Sequence, residues 1–281
     1  MLQAIEELMI PPRGMDLDFS QPKGAESYVP LGGISWEIFA NPISLYIGGI
    51  TAVLLELAEP SVGSGVWAHS NFKDDTYGRL KRTGYAAMMT IYAPKAETEK
   101  MIARVVKMHT RVTGVNFKGE EYYANDPRLL NWVQATATFG FTEAYSAYVR
   151  PLSKAEKGQA FLEAQATGAL YGCTQVPKSW QEWETLLENT VNTLEGSDIL
   201  ADFVHVMHTA DILPAPLKPL QKLMIKAAVD ISHPKIKNLP QLKNYHLNMA
   251  ERALLKTLAR LIKRFPVKGL PPEEAKKRLQ N

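Results

Sequence analysis

Residues 38–55 read IFANPISLYIGGITAVLL, 18 positions without a charge. Such a run is long enough to suggest a membrane-spanning helix. Its details argue otherwise. Asn41-Pro42 is a helix start, with a capping side chain ahead of a proline whose fixed φ suits the first turn. Gly48-Gly49 lies inside, and Glu56, Glu59 and Pro60 close the segment with no basic flank to orient it. The reading that fits is a helix of 13–15 residues buried in the core of an all-α protein.

Helix signals continue on both sides of that stretch. Asp126-Pro127 opens a helix running toward Val149. Ser153-Lys-Ala-Glu156 is a capping box whose helix ends near Gly172, and Ser179-Trp-Gln-Glu182 heads another that Gly196 can stop. Further helical patterns cover about 198–212, 217–229 and 242–265. Strand signals are confined to Val115-Asn-Phe and Glu121-Tyr-Tyr around Lys118-Gly119, a small hairpin or a loop. Pro214-Ala-Pro216 with Pro219 forms a rigid joint, and there is no internal repeat. One helical domain over 1–281 is expected, with a basic helical extension of the same core over 236–281.

The 281-residue chain is 46% hydrophobic and 22% charged, which supports a sizeable core and excludes overall disorder. The single cysteine, Cys173, excludes a disulfide framework, a CxxC pair, a Cys-rich zinc site and covalent c-type haem attachment. It reads as a small buried residue. Net charge is +3, too balanced to indicate nucleic acid, but residues 214–281 carry 15 basic and 4 acidic groups. The rest carries 17 and 25. That asymmetry suits an anionic membrane surface, an acidic partner or the chain's own acidic part, and equally a solvated helical face. The N-terminus, MLQAIEELMIPPRG, lacks the basic start and apolar run of a signal peptide, so a cytoplasmic protein, with peripheral membrane contact as an option, is expected. Walker A, GxGxxG, HExxH and GxSxG patterns are absent.

Two segments carry chemistry. In residues 93–114, APKAETEKMIARVVKMHTRVTG, Ile102, Val105, Val106, His109 and Val112 recur at helical spacing while Arg104, Lys107 and Arg111 point away. Gly114 is a candidate stop. His109 therefore faces the core near the helix end, either as a satisfied core histidine or as a metal ligand with one ring nitrogen oriented by a neighbour. In residues 74–84, Arg79, Arg82 and Thr83 share one helical face and suit an anion, a haem propionate or bound oxygen. They also suit a plain cationic surface.

Set in order, these pieces resemble the MpaB-type oxygenases, which include the latex clearing proteins. The matching residues are Asn41-Pro42, Gly48-Gly49, Glu59-Pro60, Gly65-Val66, His69-Ser70, Phe72 and Gly78 to Thr83. They continue through His109, Val112, Gly114, Tyr123, Ala124, Asp126-Pro127 and Trp132-Val133 to the segment Pro214–Leu220, spanning about 30–235. The resemblance implies a globin-like core holding non-covalent haem b, with O₂ and an apolar, unsaturated small molecule as substrates. On that basis His109 is the iron ligand, and Arg79, Arg82 and Thr83 lie near the distal side as catalytic or propionate-binding residues. Latex clearing proteins use Arg-x-x-Lys-Thr there; this chain has Arg82 in the lysine position, with Lys81 beside it. Arg111 and Arg128 are further candidates for the propionates, and Glu59 reads best as a helix-end carboxylate beside Pro60.

Rival readings use other residues. Asp202 with His205 and His208, and Asp230 with His233, offer Asp-x-x-His pairs in place of the Glu-x-x-His pairs of di-iron bundles. A carrier of haem or a lipophile would use the same pocket without turnover. Trp132, Phe139, Phe141 and Tyr145 read as core aromatics. His69 and His246 have no partner visible in sequence, and the oligomeric state is open.

Overall fold

A computed structural model describes residues 11–12, 14–70, 72, 74–264 and 269–280. The N-terminal stretch read above as no signal peptide, and the end expected for the last long helix at residue 265, lie outside the described residues, residues 11–12 and Gly14 apart. The described chain is almost entirely helical. Helices α1 (Ile34–Phe39), α2 (Pro42–Leu57), α3 (Pro60–His69), α4 (Thr76–Tyr92) and α5 (Lys95–His109) come first. A two-stranded hairpin of β1 (Thr113–Val115) and β2 (Glu121–Tyr123) follows, antiparallel with Gly114 opposite Tyr122. Then come α6 (Pro127–Tyr148), α7 (Lys154–Glu163), α8 (Gln165–Tyr171), α9 (Trp180–Thr190), α10 (Asp198–Thr209), α11 (Lys218–Ile231), α12 (Pro234–Lys237), α13 (Met249–Arg264) and α14 (Pro271–Leu279).

The local signals do what their chemistry dictates. Asn41 Oδ1 accepts from the backbone N–H groups of Ile43 and Ser44, Asp126 caps α6 through Arg128 N, and Ser153 with Glu156 forms the reciprocal capping box of α7. Three boundaries differ from expectation. The helix opened at Ser153 is broken between Glu163 and Gln165 before Gly172, at φ +94°, ends α8. The helix carrying His109 ends there rather than at Gly114, because Gly114 is taken up by β1, where its lack of a Cβ lets the Tyr122 ring lie close. Residues 242–248 are turn and coil ahead of α13 instead of helix.

Helix α2 runs through the centre. It packs on α6 over most of its length and on α11 behind. The close approach to α6 depends on two glycines. A methyl group on Gly48 would meet Phe141 Cα at 2.7 Å and the Gly140 carbonyl at 2.8 Å, and one on Gly140 would press on Ala52 N at 3.0 Å. Around this crossing lies the larger core, with Leu54, Leu55, Tyr145, Trp183, Phe203 and Ile225 sealed from solvent. A second core forms from Phe19, Trp36, Tyr85, Met88, Tyr92, Met101 and Ile102, between the N-terminal segment, α1, α4 and α5. Phe39 packs against both. The C-terminal helices serve both as well: Leu255, Ala259 and Ile262 of α13 enter the first core, and Ala275 of α14 enters the second.

Part of the C-terminal positive charge turns inward. Arg278 is fully buried, donating to the carbonyls of Ala25 (2.8 Å), Phe19 (2.7 Å) and Tyr92 (2.7 Å) and to Ser27 Oγ (2.6 Å). Lys263 reaches Glu37 of α1 at 2.5 Å, joining Arg150 and Tyr145 on the same carboxylate. These three donors hold the Glu37 carboxyl down at about 2, the Arg150 hydrogen bond foremost. No single helix is long and apolar enough to cross a membrane among the described residues; α2 and α3 pass only as a pair bent by 109°. Helix α2, whose one charged residue is Glu56, is a core helix, as its caps suggest.

Candidate functional site

The two cores do not close fully on one another. Along their seam each bordering helix carries a run of half-buried residues at helical spacing. On α2 the run is Tyr46, Gly49, Val53 and Glu56, spaced three and four residues apart. On α4 it is Arg79, Ala86 and Thr90, with Thr83 exposed between them. On α5 it is Val105, Val106 and His109, one turn beyond the buried Met101 and Ile102. On α6 it is Val133, Ala137 and Phe141. Small or apolar side chains dominate these runs, so the seam is mainly apolar with a few polar groups placed among them.

Gly49 marks the recess most clearly. Its neighbour Gly48 faces a backbone at contact distance, whereas a methyl group on Gly49 would meet only the edge of the Phe141 ring, at 3.8 Å. One helix thus presents a sealed face and an open one within a single residue.

Glu56 is the carboxylate of the recess. Its Oε1 accepts from Thr136 Oγ1 of α6 at a long 3.4 Å, and Arg79 of α4 acts on it through space. Burial outweighs both and pushes its carboxyl up to about 7. A group that titrates there can hold or release a proton at neutral pH. Arg79 is itself depressed by burial, with Glu56 opposing that shift and Arg82 adding to it. The pair is therefore a half-compensated cation and a carboxyl that shares its charge.

His109 is partly buried and its pKa is lowered. Burial is the main cause, the Asn125 side chain opposes it, and Arg79 lowers it further. That direction favours the neutral imidazole, the form a metal requires. Its Nδ1 is sealed from solvent and makes no hydrogen bond. Tyr46 Oη of α2 is another buried group without a hydrogen-bond partner among the described residues, and burial raises its pKa.

The other expected residues fall as follows. Arg82 leaves the recess and pairs with Asp75, which caps α4, at 3.0 Å, both half-exposed. Thr83 is exposed on the same turn. Glu59 is buried and caps α3 through Val62 N at 2.8 Å while holding Arg128 at 3.0 Å. It is the helix-end carboxylate read from sequence, and Arg128 is occupied by it. Arg111 is exposed. The alternative Asp/His residues have other partners: Asp230 binds Arg252, His233 Nδ1 accepts from Lys235 N to cap α12, and His208 packs edge-on against Tyr245. Among the described residues no three His, Cys, Asp or Glu side chains converge as a metal cage.

Residues 36–264 match the family described as ER-bound oxygenase mpaB/B′ and rubber oxygenase, catalytic domain. The chain belongs to this family. That family is an oxygenase catalytic domain, which supports an oxygenase role for this all-α chain. Nothing among curated proteins or solved structures matches it.

Glu56 and Asn125, which act on Arg79 and His109, are the residues that sequence reasoning missed. Glu56 appeared there only as the charge that ends an apolar run. Its position three, seven and ten residues after Val53, Gly49 and Tyr46 was the available signal, since that spacing puts it on one face with them.

Proposed function

We propose that the chain is a haem b-dependent oxygenase acting with O₂ on an apolar, unsaturated small molecule, with His109 as the iron ligand. The observation that carries this reading is the seam: a neutral histidine with an unused buried nitrogen, set in an apolar recess that Gly49 leaves open. The residues fit the group. A non-covalent porphyrin needs an apolar slot between rigid helices, an axial ligand on one of them and cations for its propionates.

Haem, when bound, supplies the iron at which O₂ is held and activated. The protein's own residues do the rest. Arg79 offers charge to propionates or to O₂; Arg82 and Thr83, exposed on the same helix, serve only from its open edge, Arg82 after leaving Asp75. Glu56 stores a proton near neutral pH, and its charge is tuned by Arg79. The stripes of Val53, Val105, Val106, Val133 and Phe141 exclude water and accept an apolar substrate. Arg82→Ala should keep haem and lower turnover. Oxygen uptake that rises in stoichiometric proportion to an added alkene tests the enzyme reading; binding of haem and alkene without uptake would make the protein a carrier.

We further take residues 1–281 as one cytoplasmic domain that touches membranes at its edge. Support comes from α13, where Met249, Leu254 and Leu261 are exposed beside Lys256, Arg260 and Arg264. Co-sedimentation with anionic vesicles that disappears at high salt is the expected result. No binding at low salt would end that idea.

A further inference from the structure

Two buried polar atoms beside each other lack a partner: Nδ1 of His109 and Oδ1 of Asn125. Asn125 is the hydrogen-bonding neighbour of the imidazole, although neither atom completes a bond of good geometry. The orientation of the amide is fixed from its other end. Asn125 Nδ2 donates to the Val106 carbonyl at 3.2 Å, the carbonyl one turn before His109 on α5. The acceptor oxygen is then left without a partner, and Nδ2 keeps one further N–H. The backbone around it is equally held. Ala124 N donates to Val112 O at 2.9 Å and Val112 N to His109 O at 3.0 Å, so the segment carrying Asn125 is tied to the turn that follows the histidine. Asp126, the next residue, caps α6.

We infer that Asn125 is the positioning residue of the His109 imidazole: its Oδ1 takes the Nδ1 proton and leaves Nε2 as the bare, ligating nitrogen. Leaving two such atoms buried and unpaired is costly, and one hydrogen bond between them relieves both. The choice of an amide has a chemical consequence. A carboxylate partner draws the Nδ1 proton toward itself and makes the imidazole a richer donor. The neutral amide orients the ring without that push, so the imidazole would be a weaker donor to a bound iron than one paired with a carboxylate. The tautomer holds for the protein alone; the consequence for iron rests on the haem reading above.

The test separates the two. In the haem-free full chain, selective ¹⁵N labelling of its six histidines reports the tautomer of each ring by long-range ¹H–¹⁵N correlation. His109, assigned from the signal lost in His109→Gln, should be the Nδ1–H tautomer and should shift to the Nε2–H form in Asn125→Leu. Asn125→Asp, which keeps an acceptor, should retain Nδ1–H, so a folding failure of the leucine variant does not end the test. An Nε2–H tautomer in the wild type, or no change in Asn125→Leu, overturns the proposal. In haem-loaded ferrous protein, Asn125→Asp should raise the iron–histidine stretching frequency and lower the reduction potential. Asn125→Leu should weaken haem affinity about tenfold or more. Unchanged frequency in the aspartate variant also overturns it. A chain that takes up no haem would sink the functional reading and leave the tautomer result standing.

Discussion

Gly48 and Gly49 are adjacent on one helix and serve opposite ends. Gly48 lets α2 and α6 touch backbone to backbone, in the best-sealed part of the molecule. Gly49 opens onto the seam between the two cores, where Tyr46, Val53 and Glu56 keep partial access. The sealed face gains stability from dispersion and from water excluded along a tight helix crossing. The open face forgoes part of that gain and keeps a carboxyl, an arginine and a histidine in a poorly solvated place. Stability and function are therefore separable here by one step of the chain.

Substitutions can break or sharpen that contrast. Gly48→Val should be the most damaging: with backbone atoms at 2.7–2.8 Å from the first added carbon, the helices must part. A loss of about 3 kcal/mol or more in urea unfolding is expected. A loss well under about 1 kcal/mol would mean that the crossing is looser than described.

The next largest effect belongs to Glu56. Its carboxyl is raised in the folded protein from 4.5 to about 7, so the fold favours the protonated form. Its contribution is complete at pH below about 4.5 and is lost as pH rises through 7, by up to about 3 kcal/mol. Glu56→Gln should then be more stable than wild type at pH 8 and nearly equal to it at pH 4. Urea midpoints at the two pH values check this, and parallel pH profiles would refute it.

Gly49→Ala should do the opposite of Gly48→Val. The methyl group meets only Phe141 at 3.8 Å, and replacing a mid-helix glycine adds about 0.5–1 kcal/mol of stability. Gly49→Phe, by filling the recess, should leave folding near wild type and sharply lower haem uptake. Destabilisation by the alanine would show that the face is not open. The smallest effect is expected at Arg82. Its pair with Asp75 is half-exposed, and Arg82→Ala should change stability by less than about 1 kcal/mol.

How much of this was legible follows from how local each cause is. Asn41, Asp126 and Ser153 announced their helices because a cap acts within three residues. The apolar face of α5 and the place of His109 on it followed from a period of 3.6. Glu56 was passed over because its pKa is set by burial between α2, α4 and α6, which no local pattern encodes. Asn125 lies outside any helix or strand, and its importance depends on the return of the hairpin to the end of α5. Arg278 looked like one more cation of a basic tail. Its burial depends on carbonyls of Phe19, Ala25 and Tyr92, about 190–260 positions away. The break after Glu163 has no sequence signal that we can name.

The most direct measurement of the central claim is the haem content of the purified and haem-supplemented protein, by absorption spectrum and pyridine haemochrome, for wild type and His109→Ala together. About one haem b per chain in the wild type and none in the variant is the predicted result. A wild type that takes up no haem, or a His109→Ala protein that keeps full occupancy, would contradict the assignment of the seam as a haem site ligated by His109.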